Sequence, residues 1–271
     1  MKEKKFRAGL VQIPVVLGDR RANMESVERW LSEYYQPADM TTALALPELW
    51  DTGYALDAVP KLADRNAAEA AEFLGRMAKK YGCWFTGGSV MTEDNGKYYN
   101  RTLIINPQGE LVTHYDKVHL VPFITVEDGV FEHGEEPCVF DMDGITCGSL
   151  ICYDIRFPEW IRVYALRGIE TLFICSQWTR GRMDLYRTMI RAHAIENMFY
   201  TVAVNNCDYS GDIDFGGESF VSSPTGEVLV SCSGTRDGKF AAVDVTNINE
   251  NRQFLKVFEK RLPYLYGDLC K

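Results

Sequence analysis

Three residues at or near the ends of strand-like segments, Glu48, Lys117 and Cys152, have side chains that together could carry out acyl transfer. Cys152 ends the run Ile145-Thr-Cys-Gly-Ser-Leu-Ile-Cys152, which reads as a buried strand. The chain then breaks at Cys-Tyr-Asp154, and Pro158 opens a helix, since proline is best tolerated in a first helical turn. A nucleophile at such a turn has an exposed side chain and fresh backbone N–H groups beside it, that of Tyr153 first. Glu48 directly follows the buried segment Thr42–Leu46 and its stop, Pro47, and Lys117 is a charge inside the strand-like alternation His114-Tyr-Asp-Lys-Val-His-Leu120. A thiol needs a base or a nearby cation to become the nucleophilic thiolate. Glu48 could take the thiol proton and later activate the hydrolytic water. Lys117 could stabilise the thiolate and then the oxyanion of a tetrahedral intermediate, helped by the Tyr153 N–H. The chemistry would be attack on an amide or nitrile carbon, loss of an amine, a thioester and its hydrolysis. Taken singly, each residue has a plainer reading: a buried inert cysteine, or an ordinary structural ion pair.

The elements that would position them alternate in type. Phe6–Val15, Thr42–Leu46, Cys83–Val90, Ile145–Ile151, Thr171–Ser176, Tyr200–Asn205 and Gly238–Val245 read as strands. Arg21–Tyr35, Ala67–Tyr81, 158–167 and Asp184–Met198 read as helices. Gly82 and Gly168 close two of them, and Leu185, Met189, Ile190, Ile195 and Met198 form the expected buried face of the last. Tyr98–Ile105 and Leu111–Leu120 form a hairpin about Asn106-Pro-Gln-Gly109, and Phe220–Val230 another about Ser223-Pro-Thr-Gly226. The class is α/β: two mixed sheets packed face to face with helices outside. No linker or charge block divides the chain, so one domain over 1–271 is expected. Its apolar, irregular tail (about 250–271) either closes the domain or packs on a partner subunit.

Composition removes other classes. Lys and Arg number 29 against 38 Asp and Glu, and the net charge of −9 argues against nucleic acid or an anionic membrane as partner. No signal-type segment follows the basic start and no apolar run reaches membrane-spanning length, so a cytoplasmic protein is expected. The eight cysteines form no Cys-x-x-Cys pair and the four histidines no i, i+4 pair, so neither a metal nor a disulfide framework is expected. Asn100-Arg-Thr102 matches a glycosylation sequon by chance. The acidic, glycine-bearing stretch Asp208–Asp214 lacks calcium-loop spacing and reads as a solvated loop. No strand is followed by Gly-x-Gly-x-x-Gly, and His119 and His133 stand in no recognisable Cys–His context.

The three chemical segments together resemble the signature elements of the nitrilase superfamily, the carbon–nitrogen hydrolases. Pro47-Glu-Leu-Trp50 is similar to the family's glutamate motif, Tyr115-Asp-Lys-Val-His-Leu120 to its lysine motif and Cys152-Tyr-Asp-Ile-Arg-Phe-Pro-Glu159 to its cysteine motif, in the family's order. The resemblance runs almost from end to end. It implies a Glu–Lys–Cys triad on an αββα sandwich, a homodimer or larger assembly, and no cofactor. Glu127, in Glu127-Asp-Gly-Val-Phe-Glu-His-Gly134, matches the family's second active-site glutamate, which is thought to hold the lysine. Arg191-Ala-His-Ala-Ile-Glu-Asn197 resembles a family helix with His193 in place of an arginine, a departure expected to leave the chemistry untouched. Trp178 matches a position that often lines the substrate pocket. The fragments ending in Tyr54, Trp178 and Asn197 look most like the bacterial ω-amidase-like branch, which implies a small-molecule substrate, the ω-amide of a 2-oxo acid. The alternatives are another small amide or N-carbamoyl compound, or a nitrile. A substrate carboxylate would need a cation, for which Arg156, Arg180 and Arg182 are candidates.

Overall fold

The computed structural model describes residues 3–86 and 88–270. Its first sheet holds eight strands: β1 (Lys5–Gln12), β2 (Thr42–Ala45), β3 (Asp64–Arg65), β4 (Trp84–Phe85), β5 (Ser89–Asp94), β6 (Lys97–Ile105), β7 (Leu111–Asp116) and, from the far end of the chain, β16 (Asp237–Asp244). The second sheet holds β8 (Cys138–Met142), β9 (Ile145–Ile151), β10 (Thr171–Ser176), β11 (Tyr200–Asn205), β14 (Phe220–Ser222) and β15 (Val228–Ser231). Both are mixed. β1 runs parallel to β2 and antiparallel to β16, while β10 runs parallel to both β9 and β11. β2 is buried along its whole length, as a strand between parallel neighbours must be when both faces are covered.

The sheets meet face to face. Phe6 of β1 lies against Phe173 of β10, ring centroids 6.1 Å apart, and Thr102 Oγ1 of β6 lies 3.5 Å from Cys175 Sγ of β10. Helices α1 (Arg20–Tyr34) and α3 (Ala68–Tyr81), with the short α2 (Val59–Leu62) between them, cover the outer side of the first sheet. α1 is capped by Asp19, whose carboxylate accepts the Ala22 N–H. It buries Val27, Trp30 and Leu31, and the Trp30 indole N–H is satisfied by the Asp237 carbonyl at 2.7 Å. α4 (Pro158–Leu166) and α5 (Met183–Asn197) cover the second sheet, where Gly148 of β9 lets Tyr164 approach: a Cβ there would sit 2.7 Å from its ring. The result is the four-layer αββα sandwich. α6 (Ile248–Leu255) and two short turns form the tail, which leaves Phe254, Tyr264, Leu265 and Leu269 exposed. Among the described residues no helix is long and apolar enough to cross a membrane.

Several local expectations are corrected. Cys83–Val90 is two strands, broken before β5 where Gly88 takes φ +99°. Leu111–Leu120 leaves the sheet at Asp116, so Lys117 follows a strand and is not inside one. Asp208–Asp214 is solvated at Tyr209, Gly211 and Asp212 but is a hairpin and not a loop, since β12 (Cys207–Ser210) pairs with β13 (Ile213–Gly216) there. The buried face of α5 consists of Met183, Tyr186, Ile190, His193, Ala194 and Asn197, whereas Leu185 and Ile195 are exposed. Two polar residues occupy that face because each is hydrogen-bonded: His193 Nε2 to the Ile155 carbonyl at 2.7 Å, and Asn197 Nδ2 to the His193 carbonyl at 3.0 Å. Hydrophobicity alone misplaces such a stripe.

Candidate active site

The chain leaves β2 through Leu46-Pro47 and turns at Glu48, whose backbone is fixed by the second sheet. Its N–H donates to the Ser176 carbonyl (3.3 Å), and its carbonyl accepts from Gln177 Nε2 (2.6 Å). Leu49 then adopts φ +44°, a conformation held by the hydrogen bond from its N–H to Ser89 Oγ at 2.9 Å. On the neighbouring strands, Arg101 of β6 grips Asp116 of β7 through two bonds of 2.7 and 2.9 Å, and the next N–H, that of Lys117, reaches the Asn100 carbonyl at 3.0 Å. The Lys117 carbonyl takes the N–H of Gly134 (2.9 Å). Only glycine fits there, because a Cβ would lie 2.0 Å from the Asp116 carbonyl oxygen.

These turns bring three side chains together, all fully buried. Lys117 Nζ lies 2.7 Å from Glu48 Oε1 and 2.7 Å from Glu127 Oε2. Asn100 Nδ2 donates to both acids, to Glu48 Oε1 at 2.9 Å and Glu127 Oε1 at 3.0 Å, and the Val121 N–H donates to Glu127 Oε2 at 2.9 Å. Burial alone would lower the pKa of Lys117, but the carboxylates of Glu127 and Glu48 outweigh it and hold the ammonium well above its ordinary value. Burial raises Glu127, with Lys117 opposing.

Cys152 follows β9 with φ +47°, a left-handed conformation that non-glycine residues adopt at a cost, and opens the 3₁₀ turn Cys152–Arg156. Asp154 fastens that turn. Its carboxylate accepts the Ile151 N–H (3.0 Å) and the Tyr115 hydroxyl (2.8 Å). The thiol is pushed well up by burial and by Glu48, with Lys117 pulling the other way, so at neutral pH it is protonated and needs a base.

Cys152 forms part of a cleft that opens to solvent. Tyr54, Tyr153, Arg156 and Trp178 all line it, as do Gln177, Phe215 and Arg182. Arg156 lies over the Trp178 ring at 5.0 Å and Arg182 over Phe123 at 5.6 Å, and neither has a carboxylate partner among the described residues. Arg180 is excluded as the cleft's cation. It is paired with Asp214 through bonds of 2.8 and 3.0 Å and lies outside the lining. His119 is bound to Asp154 and stacked on Phe157, while His133 Nδ1 is bound to the Val118 carbonyl; neither reaches the cleft. Among the described residues no group of three His, Cys, Asp or Glu is placed to hold a metal.

Two residues of this arrangement, Asn100 and Asp154, carry no role in the sequence reading. Asn100, met only as a sequon, is fully buried between the two glutamates. Its signal is an asparagine in mid-strand, the first residue of the stretch of β6 that is buried. Asp154 stood in plain view within the cysteine motif without an assigned role. His193, whose substitution for arginine is expected to leave the chemistry untouched, holds the Ile155 carbonyl in the turn that follows the thiol.

The carbon-nitrogen hydrolase family model matches residues 7–253. The chain is 34% identical to 2-oxoglutaramate amidase of Bacillus subtilis over 263 residues, 97% of this chain and all of the relative. It is 28% identical to omega-amidase NIT2-B of Xenopus laevis, with 97% of each chain covered. Nit3 of Saccharomyces cerevisiae, a member of branch 10 of the nitrilase superfamily, superimposes with a TM-score of 0.83 at 26% identity, over 92% of this chain and 94% of its own. A family match across nearly the whole length, on an αββα sandwich with a cysteine lining its cleft, leads to one conclusion: the chain belongs to the carbon-nitrogen hydrolase family and is an amidase.

Proposed function

We propose that the chain hydrolyses the terminal amide of a 2-oxo dicarboxylic acid monoamide, 2-oxoglutaramate or 2-oxosuccinamate, with release of ammonia. Supporting the substrate class are the two arginines without acidic partners in the cleft, Arg156 and Arg182, and the names of the amidases similar to this chain. The observation that carries the chemistry is the placement of Lys117 Nζ, 2.7 Å from both Glu48 and Glu127, beside the cleft that Cys152 helps to form.

Cys152 Sγ attacks the amide carbon as Glu48 takes the thiol proton. The carbonyl oxygen becomes an oxyanion, stabilised by Lys117 Nζ and the Tyr153 N–H. Collapse breaks the C–N bond, and Glu48 returns the proton to the departing nitrogen, leaving a thioester and ammonia. Water then attacks the thioester, giving up its proton to Glu48. The second tetrahedral intermediate expels the thiolate, which recovers the proton, and the 2-oxo dicarboxylate departs. Glu127 holds Lys117 in line throughout, while Tyr54 and Trp178 shape the pocket.

The test is ammonia release from 2-oxoglutaramate, 2-oxosuccinamate, an N-carbamoyl amino acid, a simple aliphatic amide and a nitrile, with wild type and Cys152→Ala side by side. Cys152-dependent release that favours the 2-oxo acid amides is expected. Preference for another compound overturns the substrate, and turnover retained by Cys152→Ala overturns the nucleophile.

A further inference from the structure

We propose that Asn100 is a positioning residue: it determines which oxygen of Glu48 acts as the base and keeps both glutamates ionised around Lys117. The inference rests on the reading above in taking Glu48 as the base for Cys152. Four carboxylate oxygens face this cage. Glu48 Oε1 accepts from Lys117 Nζ (2.7 Å) and Asn100 Nδ2 (2.9 Å). Glu127 Oε2 accepts from Lys117 Nζ (2.7 Å) and the Val121 N–H (2.9 Å), and Glu127 Oε1 from Asn100 Nδ2 (3.0 Å). Glu48 Oε2, buried with them, accepts no hydrogen bond among the described residues. It alone is left with its lone pairs free for a proton.

One ammonium faces two carboxylates, so the cage carries an excess negative charge away from water. Such a charge persists only where hydrogen-bond donors stabilise it. Asn100 supplies one N–H to each acid. Because both neighbours are acceptors, its amide can sit only with nitrogen toward them, and Oδ1 is left buried without a partner among the described residues. Its backbone carbonyl also takes the Lys117 N–H, so one residue sets the position of all three charged groups. Asn100 does not line the cleft and is not expected to touch substrate. The other titratable groups that feel the cage are Cys152 and Tyr54, with Cys175 and Tyr186 also influenced by Glu48.

Without the amide donors, Glu127 Oε1 loses its one partner and Glu48 Oε1 one of two. A carboxylate that loses donors to its charged form holds its proton to higher pH. The acid limb of any rate that needs Glu48 ionised therefore moves upward.

The experiment compares wild type with Asn100→Ala, Asn100→Asp and Asn100→Ser, the last retaining a single donor. Two pH profiles are measured: the rate at which iodoacetamide alkylates Cys152, and kcat/KM for ammonia release from 2-oxoglutaramate. Asn100→Ala is expected to lower kcat about 10- to 100-fold, the loss typical of one charge-assisted hydrogen bond, with KM little changed. The acid limbs of both profiles should move to higher pH, further in Asn100→Asp and less in Asn100→Ser. If Asn100→Ala does not fold, Asn100→Ser carries the comparison. A folded variant whose alkylation profile coincides with that of wild type overturns the inference. Alkylation needs no substrate, so a shifted alkylation profile in an enzyme that leaves 2-oxoglutaramate intact would keep Asn100's role and refute only the substrate.

Discussion

Asp154, two residues after Cys152, holds His119, two residues after Lys117: its Oδ1 meets the His119 backbone N–H at 3.0 Å and the ring Nδ1 at 2.7 Å. Its other oxygen takes the Tyr115 hydroxyl and the Ile151 N–H, and Tyr115 in turn accepts from the Trp160 indole at 3.1 Å. The segments carrying the thiol and the ammonium are therefore joined by one buried carboxylate and cannot shift independently. Asp154→Asn sets an amide N–H against donors and should cost about 2–3 kcal/mol, seen as a lower Tm, together with a drop in kcat. A variant with wild-type Tm and kcat would mean that the carboxylate merely fills space.

Burial holds the resting thiol protonated, so the proposed mechanism requires Glu48 as its base at neutral pH. Glu48→Gln should lower kcat by about 10²–10⁴, the usual contribution of a general base. Alkylation of Cys152 in this variant should be slow at pH 7 and climb steadily as pH rises and thiolate accumulates. Labelling at the wild-type rate at pH 7 would remove Glu48 from the role.

Asp51, three residues beyond Glu48, is fully buried and bound to Arg20 at 2.9 Å. Burial raises its pKa from 3.8 to about 6, with Arg20 opposing. The folded state thus holds this proton more tightly than the unfolded chain. The stabilising contribution is complete below about pH 4 and is lost as pH rises through about 6, a change of about 3 kcal/mol at most. Urea midpoints from pH 4 to 7 should show a downward component in wild type that is missing in Asp51→Asn. Parallel curves for the two proteins would refute it.

Only two of the three candidate arginines reach the cleft. Arg156→Met and Arg182→Met should each raise KM for 2-oxoglutaramate about 10- to 100-fold and affect a neutral amide far less, while Arg180→Met should leave both nearly unchanged. Equal losses on charged and neutral amides in the first two variants would show that the cleft does not read a carboxylate.

Most strands, and the positions of Glu48 and Cys152, can be read from the chain because buried strands leave short apolar runs and these two residues stand where a run stops, whereas Lys117, expected inside a strand, follows one. Other features left no such trace. Asn100 sits in mid-strand as though it were an error in the pattern, and only the glutamates packed against it give a polar residue reason to be there. His193 and Asn197 are absent from the buried stripe expected for α5, since the hydrogen bonds that let polar groups be buried are invisible to hydrophobicity. The unlike fates of Arg180 and Arg182, two positions apart, depend on the hairpin β12–β13, which presents Asp214 to one and not the other.

Glu48, Asn100 and Lys117 belong to the first sheet and its turns, whereas Cys152 and Gln177 belong to the second, and the bond from Gln177 to the Glu48 carbonyl spans 129 positions of sequence. Contacts of such range form late, after the entropy of closing long loops has been overcome. A folding chain that has built either sheet alone thus holds Cys152 without Glu48, or Glu48 without Cys152, and lacks the proposed site. That site is assembled only when the layers close on each other, so amidase activity should appear with the docking of the two sheets and not with the building of either one.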